Sequence, residues 1–185
     1  MQSILAAERR LKILVYLMEQ DDPRKCTSAK LIRFGLAGPI RSRSMIPRRA
    51  VVLNPLADTV LSPPDRWHIE HDGLVAIDCS WNRSDEVLTS RFRGMRRRLP
   101  LLLPANPVSY GRVGRLSSAE ALAASLIITG LSEYGRKLLA VFKWGATFLT
   151  LNSEPLIDYS QAKDQREILE VERSYFVNSG FRVEG

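Results

Sequence analysis

"SPPDRWHIEHDGLVAIDCSW", residues 62–81, decides the fold. Its first twelve residues carry helix punctuation. Ser62 can cap, Pro63 fits the first helical position, and Gly73 stands where a left-handed C-terminal residue belongs. "LVAI" then reads as a buried strand. It runs straight into Asp78, Cys79, Ser80 and Trp81 instead of a turn of Gly, Pro or Asn. Upstream, "AVVLNP" at 50–55 is a second convincing strand, so residues 50–79 form a strand–helix–strand unit. Such a unit belongs to a sheet with parallel neighbours.

Working outward, "LKILVYLM" at 11–18 is a further strand, "KLIRFG" at 30–35 a short apolar piece, and 38–49 a basic loop. After Arg98 the character changes. "LPLLLPANPVSYGRVGRL" (99–116) is apolar but broken by prolines and glycines. Buried backbone needs partners, so an apolar irregular segment is either a linker packed on the core or a wall for something flat and organic. "SSAEALAASLIITG" follows as a helix, with a Ser117/Glu120 capping box and a stop at Gly130. Residues 133–151 and 162–177 read as further helices, and no strand is expected there. The fold class is α/β, an N-terminal mixed α/β half followed by an α-helical half, with units at 1–99 and 100–185.

A chain of 185 residues can bury about 70% of its unfolded surface without staples. Cys26 and Cys79 lie far apart in sequence and point to a reducing compartment. No signal peptide is evident, and the longest apolar stretch falls short of the ~18 residues of a membrane span. A soluble, cytoplasmic protein is expected. Residues 1–99 hold 18 Lys and Arg against 11 Asp and Glu, while the remainder holds 9 against 9, so the whole net charge of +7 sits in the first half. The excess is largely arginine, clustered in "RSRSMIPRR" (41–49) and "RFRGMRRR" (91–98). Arginine's planar fork binds two phosphate oxygens at once, which favours nucleic acid over a merely solvated basic surface.

An acid at the carboxyl end of a parallel strand stands where open α/β sheets bind ligands, and Asp78 is such a residue. The alternative is a turn acid or N-cap. Trp81 is either core or one flat wall of a pocket; an indole face attracts a cationic group by about 0.5–2 kcal/mol, which would suit a sulfonium. His68 and His71 lack a third ligand and do not match HExxH, so no metal is expected. Cys79 has no evident histidine partner. No Walker A motif occurs, and "GRVG" at 111–114 is not a dinucleotide fingerprint.

Four stretches taken in order are similar to the small-subunit ribosomal RNA aminocarboxypropyltransferases of archaea and eukaryotes. They are "DDPRKCTSAKL" (21–31), "LNPLADTVLSPPD" (53–65), "DCSW" (78–81) and "RRLPLLLPANPVSYGRVGRLSSAEALAA" (97–124). The resemblance covers most of residues 11–130. It implies a SPOUT-like fold with a trefoil knot in the C-terminal region, which no periodicity could reveal. It also implies S-adenosyl-L-methionine as cofactor, and transfer of its 3-amino-3-carboxypropyl group to N3 of a uridine or modified uridine. The implied partner is small-subunit ribosomal RNA or a pre-ribosomal particle, and the protein is expected to be a monomer without membrane contact. An RNA methyltransferase on the same cofactor, or a non-catalytic assembly factor, are the competing readings.

By the same resemblance Trp81 faces the methyl side of the cofactor, Thr27 its methionine end and Leu101 its adenine, through backbone groups. Ile77 contributes at the strand end, and Leu116 and Ser118 close the pocket, so the resemblance assigns the cofactor to the helical unit 100–185 and the RNA to the basic unit 1–99, the two tightly packed. Asp78 is the catalytic candidate, either as base for the imide proton or as the group that orients the cofactor's amine; an unperturbed Asp, near pKa ~3.9, is a weak base. Lys25, Lys30, Arg33, Arg41 and Arg43 are the candidates for phosphate contact, with binding that weakens steeply with salt.

Overall fold

Val51–Leu53 and Leu74–Asp78, the strands flanking the helix of the opening motif, lie side by side and parallel, with Val51 opposite Leu74. The computed structural model describes residues 11–17, 26–78 and 92–178. In chain order the elements are β1 (Ile13–Leu17), α1 (Thr27–Arg33), β2 (Gly38–Ile40), β3 (Val51–Leu53), α2 (Arg66–His71), β4 (Leu74–Asp78) and β5 (Met95–Arg97). Five helices then follow: α3 (Ser118–Ile128), α4 (Ser132–Ala140), α5 (Gly145–Leu151), α6 (Ser153–Gln161) and α7 (Gln165–Glu172), the last continuing into a π-turn at Arg173–Val177. The strands form one parallel sheet in the order β2-β1-β4-β3-β5.

Burial explains which sequences became strands. β3 is buried throughout and β4 is buried up to Asp78, as expected of central strands covered on both faces. On one face Ile13, Val15, Val51, Leu53, Leu74 and Ala76 pack with Leu31 of α1, Ile69 of α2 and the apolar side of α3. On the other, Val52, Val75 and Ile77 meet Ile40, Ile46, Ala50 and Phe92. The first cluster draws residues from both sides of residue 100, so the two halves share one core.

The structure corrects four expectations. "KLIRFG" belongs mostly to α1, because Cys26 caps it and places Leu31 inward. The basic loop conceals β2, and the arginine cluster conceals β5. Both are edge strands of three residues with few apolar side chains, so no alternation marks them. Gly94 lets β5 join: its φ is +98°, and a Cβ there would lie 2.6 Å from Val52 Cγ2 and 2.7 Å from the Ala50 carbonyl. Helix 133–151 is split by a turn at 141–144, and an added Cβ on Gly145, which opens the next helix, would collide with the Leu139 carbonyl. The capping box at Ser117 and the left-handed stops at Gly73 and Gly130 are as the sequence implied.

Residues 99–117 carry no helix or strand, yet Leu102, Ala105, Asn106 and Leu116 are buried. Helix side chains satisfy their backbone. Glu120, wholly buried on α3, accepts five hydrogen bonds: from the amides of Ala105 (2.7 Å), Asn106 (3.0 Å) and Ser117 (2.8 Å), the Asn106 side chain (2.6 Å) and the Ser117 hydroxyl (2.8 Å). Asn152 pairs with both backbone groups of Leu103, each at 2.8 Å. Glu172 accepts from the Leu101 amide at 3.0 Å and holds Arg98, while the Tyr159 hydroxyl donates to the Leu101 carbonyl at 3.1 Å. Burial pushes the Tyr159 phenol far up, so it remains the donor.

Replacing Glu120 by Ala strands these donors in the interior. A loss of about 3 kcal/mol or more is expected in urea unfolding. A loss under about 1 kcal/mol would mean the segment holds its course without this carboxylate.

Candidate functional site

β1 and β4 are neighbours whose onward connections part company. From β1 the chain passes through α1 to β2 on one side, and β5 lies beyond β3 on the other. A crevice at the carboxyl ends of two such strands is the switch point where open parallel sheets receive ligands. Leu17 and Asp78 are the paired residues at that end.

Asp78 is a junction. Its Oδ1 accepts from the Ser28 hydroxyl at 2.8 Å and from the Ser118 hydroxyl at 3.2 Å, and its Oδ2 accepts from the Cys26 thiol at 3.0 Å. One carboxylate thus ties the first turns of α1 and α3 to the end of β4. A carboxylate offers about four acceptor directions, so among the described residues one on Oδ2 is left for a further donor. Cys26 is also the N-cap of α1, its sulfur accepting from the Ala29 amide at 3.3 Å. A helix N-terminus ordinarily lowers a thiol's pKa. Here burial, reinforced by the bond to Asp78, outweighs it and pushes the thiol up to about 11. Cys26 is therefore a neutral donor, not a nucleophile.

The predicted residues are brought together in part. Thr27 opens α1 beside Cys26, and Ser118 opens α3 in contact with Asp78. Ile77 stands next to Asp78, but its side chain belongs to the far-face cluster, which leaves its backbone for the crevice. Leu116 is buried two residues before Ser118. The Leu101 amide is held by Glu172, and its carbonyl already accepts from Tyr159. Trp81, Cys79 and Lys25 lie outside the described residues. Cys26 and Ser28 were missed as site residues; the signal was the "CTS" run, a capping pattern before an apolar helix.

The cationic candidates do not share one surface. Lys30 stacks its ammonium over Phe142 at 4.9 Å, on the face that carries α1. Arg33 ends that helix, at the opposite end from Cys26. Arg43 lies over Phe92 at 4.9 Å, with the far-face cluster. Arg41 follows β2, whose carboxyl end is on the Asp78 side of the sheet. Within the second arginine cluster, Arg97 pairs with buried Asp65 at 3.0 Å and Arg98 with Glu172 at 3.0 Å, so both serve the fold. His68 and Asp72 stand 3.7 Å apart, and no group of three or more metal-ligating side chains occurs among the described residues.

A family model described as "Ribosome biogenesis protein, C-terminal" matches residues 51–176. A second, described as a possible Fer4-like domain in RNase L inhibitor, matches residues 11–44. That stretch holds one cysteine, Cys26, whereas an iron–sulfur cluster takes four ligands. The chain is 46% identical over 159 residues to a 16S rRNA aminocarboxypropyltransferase of Thermoplasma volcanium, covering 86% of this chain and 94% of that one. It is 41% identical over 169 residues to the protein so named in Methanosarcina mazei, covering 90% and 96%. Among solved structures, the SAM-dependent rRNA:acp-transferase Tsr3 from Vulcanisaeta distributa matches with a TM-score of 0.79 at 41% identity, covering 89% of this chain and 91% of that one.

The raised thiol has a measurable consequence. With its pKa near 11 against an ordinary 9.0, Cys26 should alkylate at pH 8 about a hundredfold more slowly than a free thiol, read by peptide mass spectrometry. Removing the carboxylate in D78A should speed it. The folded state keeps this proton longer than the unfolded chain, so the contribution to stability is whole below about pH 9 and is lost as pH rises to about 11. Rapid alkylation of the wild type would show that the thiol is not held as described.

Proposed function

We infer the function from one premise: the chain belongs to the family of 16S rRNA aminocarboxypropyltransferases. It is an enzyme that takes S-adenosylmethionine as cofactor and transfers the aminocarboxypropyl group to small-subunit ribosomal RNA. The finer reading is that the acceptor is N3 of a uridine or modified uridine. The observation that carries the assignment to this site is the Asp78 junction at the sheet's switch point.

The residues present fit the cofactor. Its sulfonium and ammonium are cations, and Asp78 is a carboxylate with one acceptor direction remaining. Its adenine is flat and apolar-faced, and the apolar segment 99–117 enters α3 at Ser117, next to Ser118. When bound, the cofactor supplies an electrophilic carbon next to a sulfonium. Thr27, Ile77, Trp81, Leu101, Leu116 and Ser118 would hold it, Leu101 by its side chain and remaining carbonyl lone pair. Because Asp78 is bonded from Ser28 on one side of residue 100 and Ser118 on the other, the cofactor sits at the seam of the two halves and not in 100–185 alone.

Asp78 has room for one more donor, so it serves either the cofactor's amine or the base imide at a given moment. We assign it the orienting role. Three hydrogen bonds fix its position, and fixed geometry is what selects the aminocarboxypropyl arm over the methyl. The RNA-facing role falls to the basic first half. The SPOUT-like knotted path is carried by the family resemblance alone. No helix among the described residues is long and apolar enough to cross a membrane. A cytoplasmic monomer is the working picture.

The deciding experiment uses two labels. Purified protein and unmodified small-subunit RNA are incubated with S-adenosylmethionine labelled in the methyl or in the carboxyl group. Carboxyl label should enter the RNA and methyl label should not. Methyl label alone would make the protein a methyltransferase. In the same assay D78N should lower transfer about a hundredfold, with cofactor affinity changed less than about tenfold; normal turnover would remove Asp78 from the reaction.

A further inference from the structure

Trp67 is 48% exposed on α2, although an indole is among the side chains most often buried. It is not loose. The His71 ring stacks on it at 4.3 Å and 17°, and His71 Nδ1 is itself anchored 2.7 Å from the Trp67 carbonyl. The Arg49 guanidinium lies over the indole at 5.1 Å, and Arg48 beside it is exposed. Arg49 immediately precedes Ala50 and β3, and His71 precedes β4, so this ledge stands at the amino ends of the strands. Asp78 is at the carboxyl end. A strand of five residues separates the two by about 16 Å.

We propose that Arg49, Trp67 and His71 form a second RNA contact, a stacking platform for an unpaired base of the substrate remote from the reacting one. The proposal rests on the RNA reading above and adds a site to it. Single-stranded RNA is recognised by stacking its bases on aromatic rings and arginine planes, with basic side chains meeting the backbone. The indole holds the exposed His71 ring stacked on it and the exposed Arg49 guanidinium over it, so a base stacking on the outer plane of either meets side chains that have little freedom left to lose. The charge of Arg48 and Arg49 suits the phosphates on either side. The RNA is then held at two points, and the ledge acts on binding, not on the chemical step.

The test measures affinity for a fluorescently labelled small-subunit RNA fragment by anisotropy, at several salt concentrations, with the full chain. W67L keeps apolar bulk without a ring and should weaken binding about tenfold; W67F should stay within about threefold of the wild type. The salt slope should be unchanged in W67L, because stacking releases no counterions, and shallower in R49A. Wild-type affinity in W67L overturns the proposal, as does an equal loss in W67F. Should W67L melt below the assay temperature, R49A decides: an unchanged salt slope overturns it. Label transfer by the wild type is read alongside. Trp67-dependent binding without transfer would sink the functional reading and leave the platform standing, whereas transfer with Trp67-independent binding would sink the platform alone.

Discussion

A buried carboxylate with five donors, Glu120, is the interaction on which the rest depends. An apolar segment without helix or strand brings its backbone polar groups inside, and each needs a partner there. Glu120, Asn152, Glu172 and Tyr159 supply them from three different helices, α3, α6 (through its N-cap) and α7, with Tyr159 itself on α6. The C-terminal helices are therefore a mould for residues 99–117 as much as they are a core. Because Glu120 also completes the box at Ser117, the same group that fixes the segment fixes the start of α3, and with it the Ser118 hydroxyl on Asp78.

The two carboxylates divide the labour by environment. Glu120 is sealed and fully engaged, so it has no part to play with a ligand. Asp78 is only partly buried and retains an acceptor direction, so it can tie three elements together and still meet a guest. The arginines divide in the same way. Arg97 and Arg98 turn inward to Asp65 and Glu172, whereas Arg48 and Arg49 remain outside. Net charge in the first half overstates the surface available to an anion.

Central strands and capped helices were legible because burial and punctuation leave marks in the chain: β3, α2, β4 and α3 stand close to where the pattern put them. β2 and β5 were not legible, since a three-residue edge strand is made by its neighbour's hydrogen bonds and carries no alternation of its own. Asp78 was visible from its place after "LVAI". Of its partners, Ser118 was named only through the resemblance and Cys26 and Ser28 not at all, because they lie 40, 52 and 50 residues away and meet it only through the fold. The residues alone left Trp81 open between core and pocket wall, and the Trp67 ledge passed unnoticed because a helix's aromatic ordinarily points inward.

The order of the sheet has a consequence for how the chain assembles. β1 and β4 are direct neighbours at the centre of the sheet, with β2 and β3 on their outer sides, so that centre needs residues 61 apart to meet. The crevice waits longer, since Ser118 and the helices that hold 99–117 come later still. Loop closure over such separations is slow and precedes its reward. On a chain emerging from the ribosome, the Asp78 junction is thus among the last features to form. A truncated or stalled chain exposes the apolar segment without its helical partners, and it is then a client for chaperones.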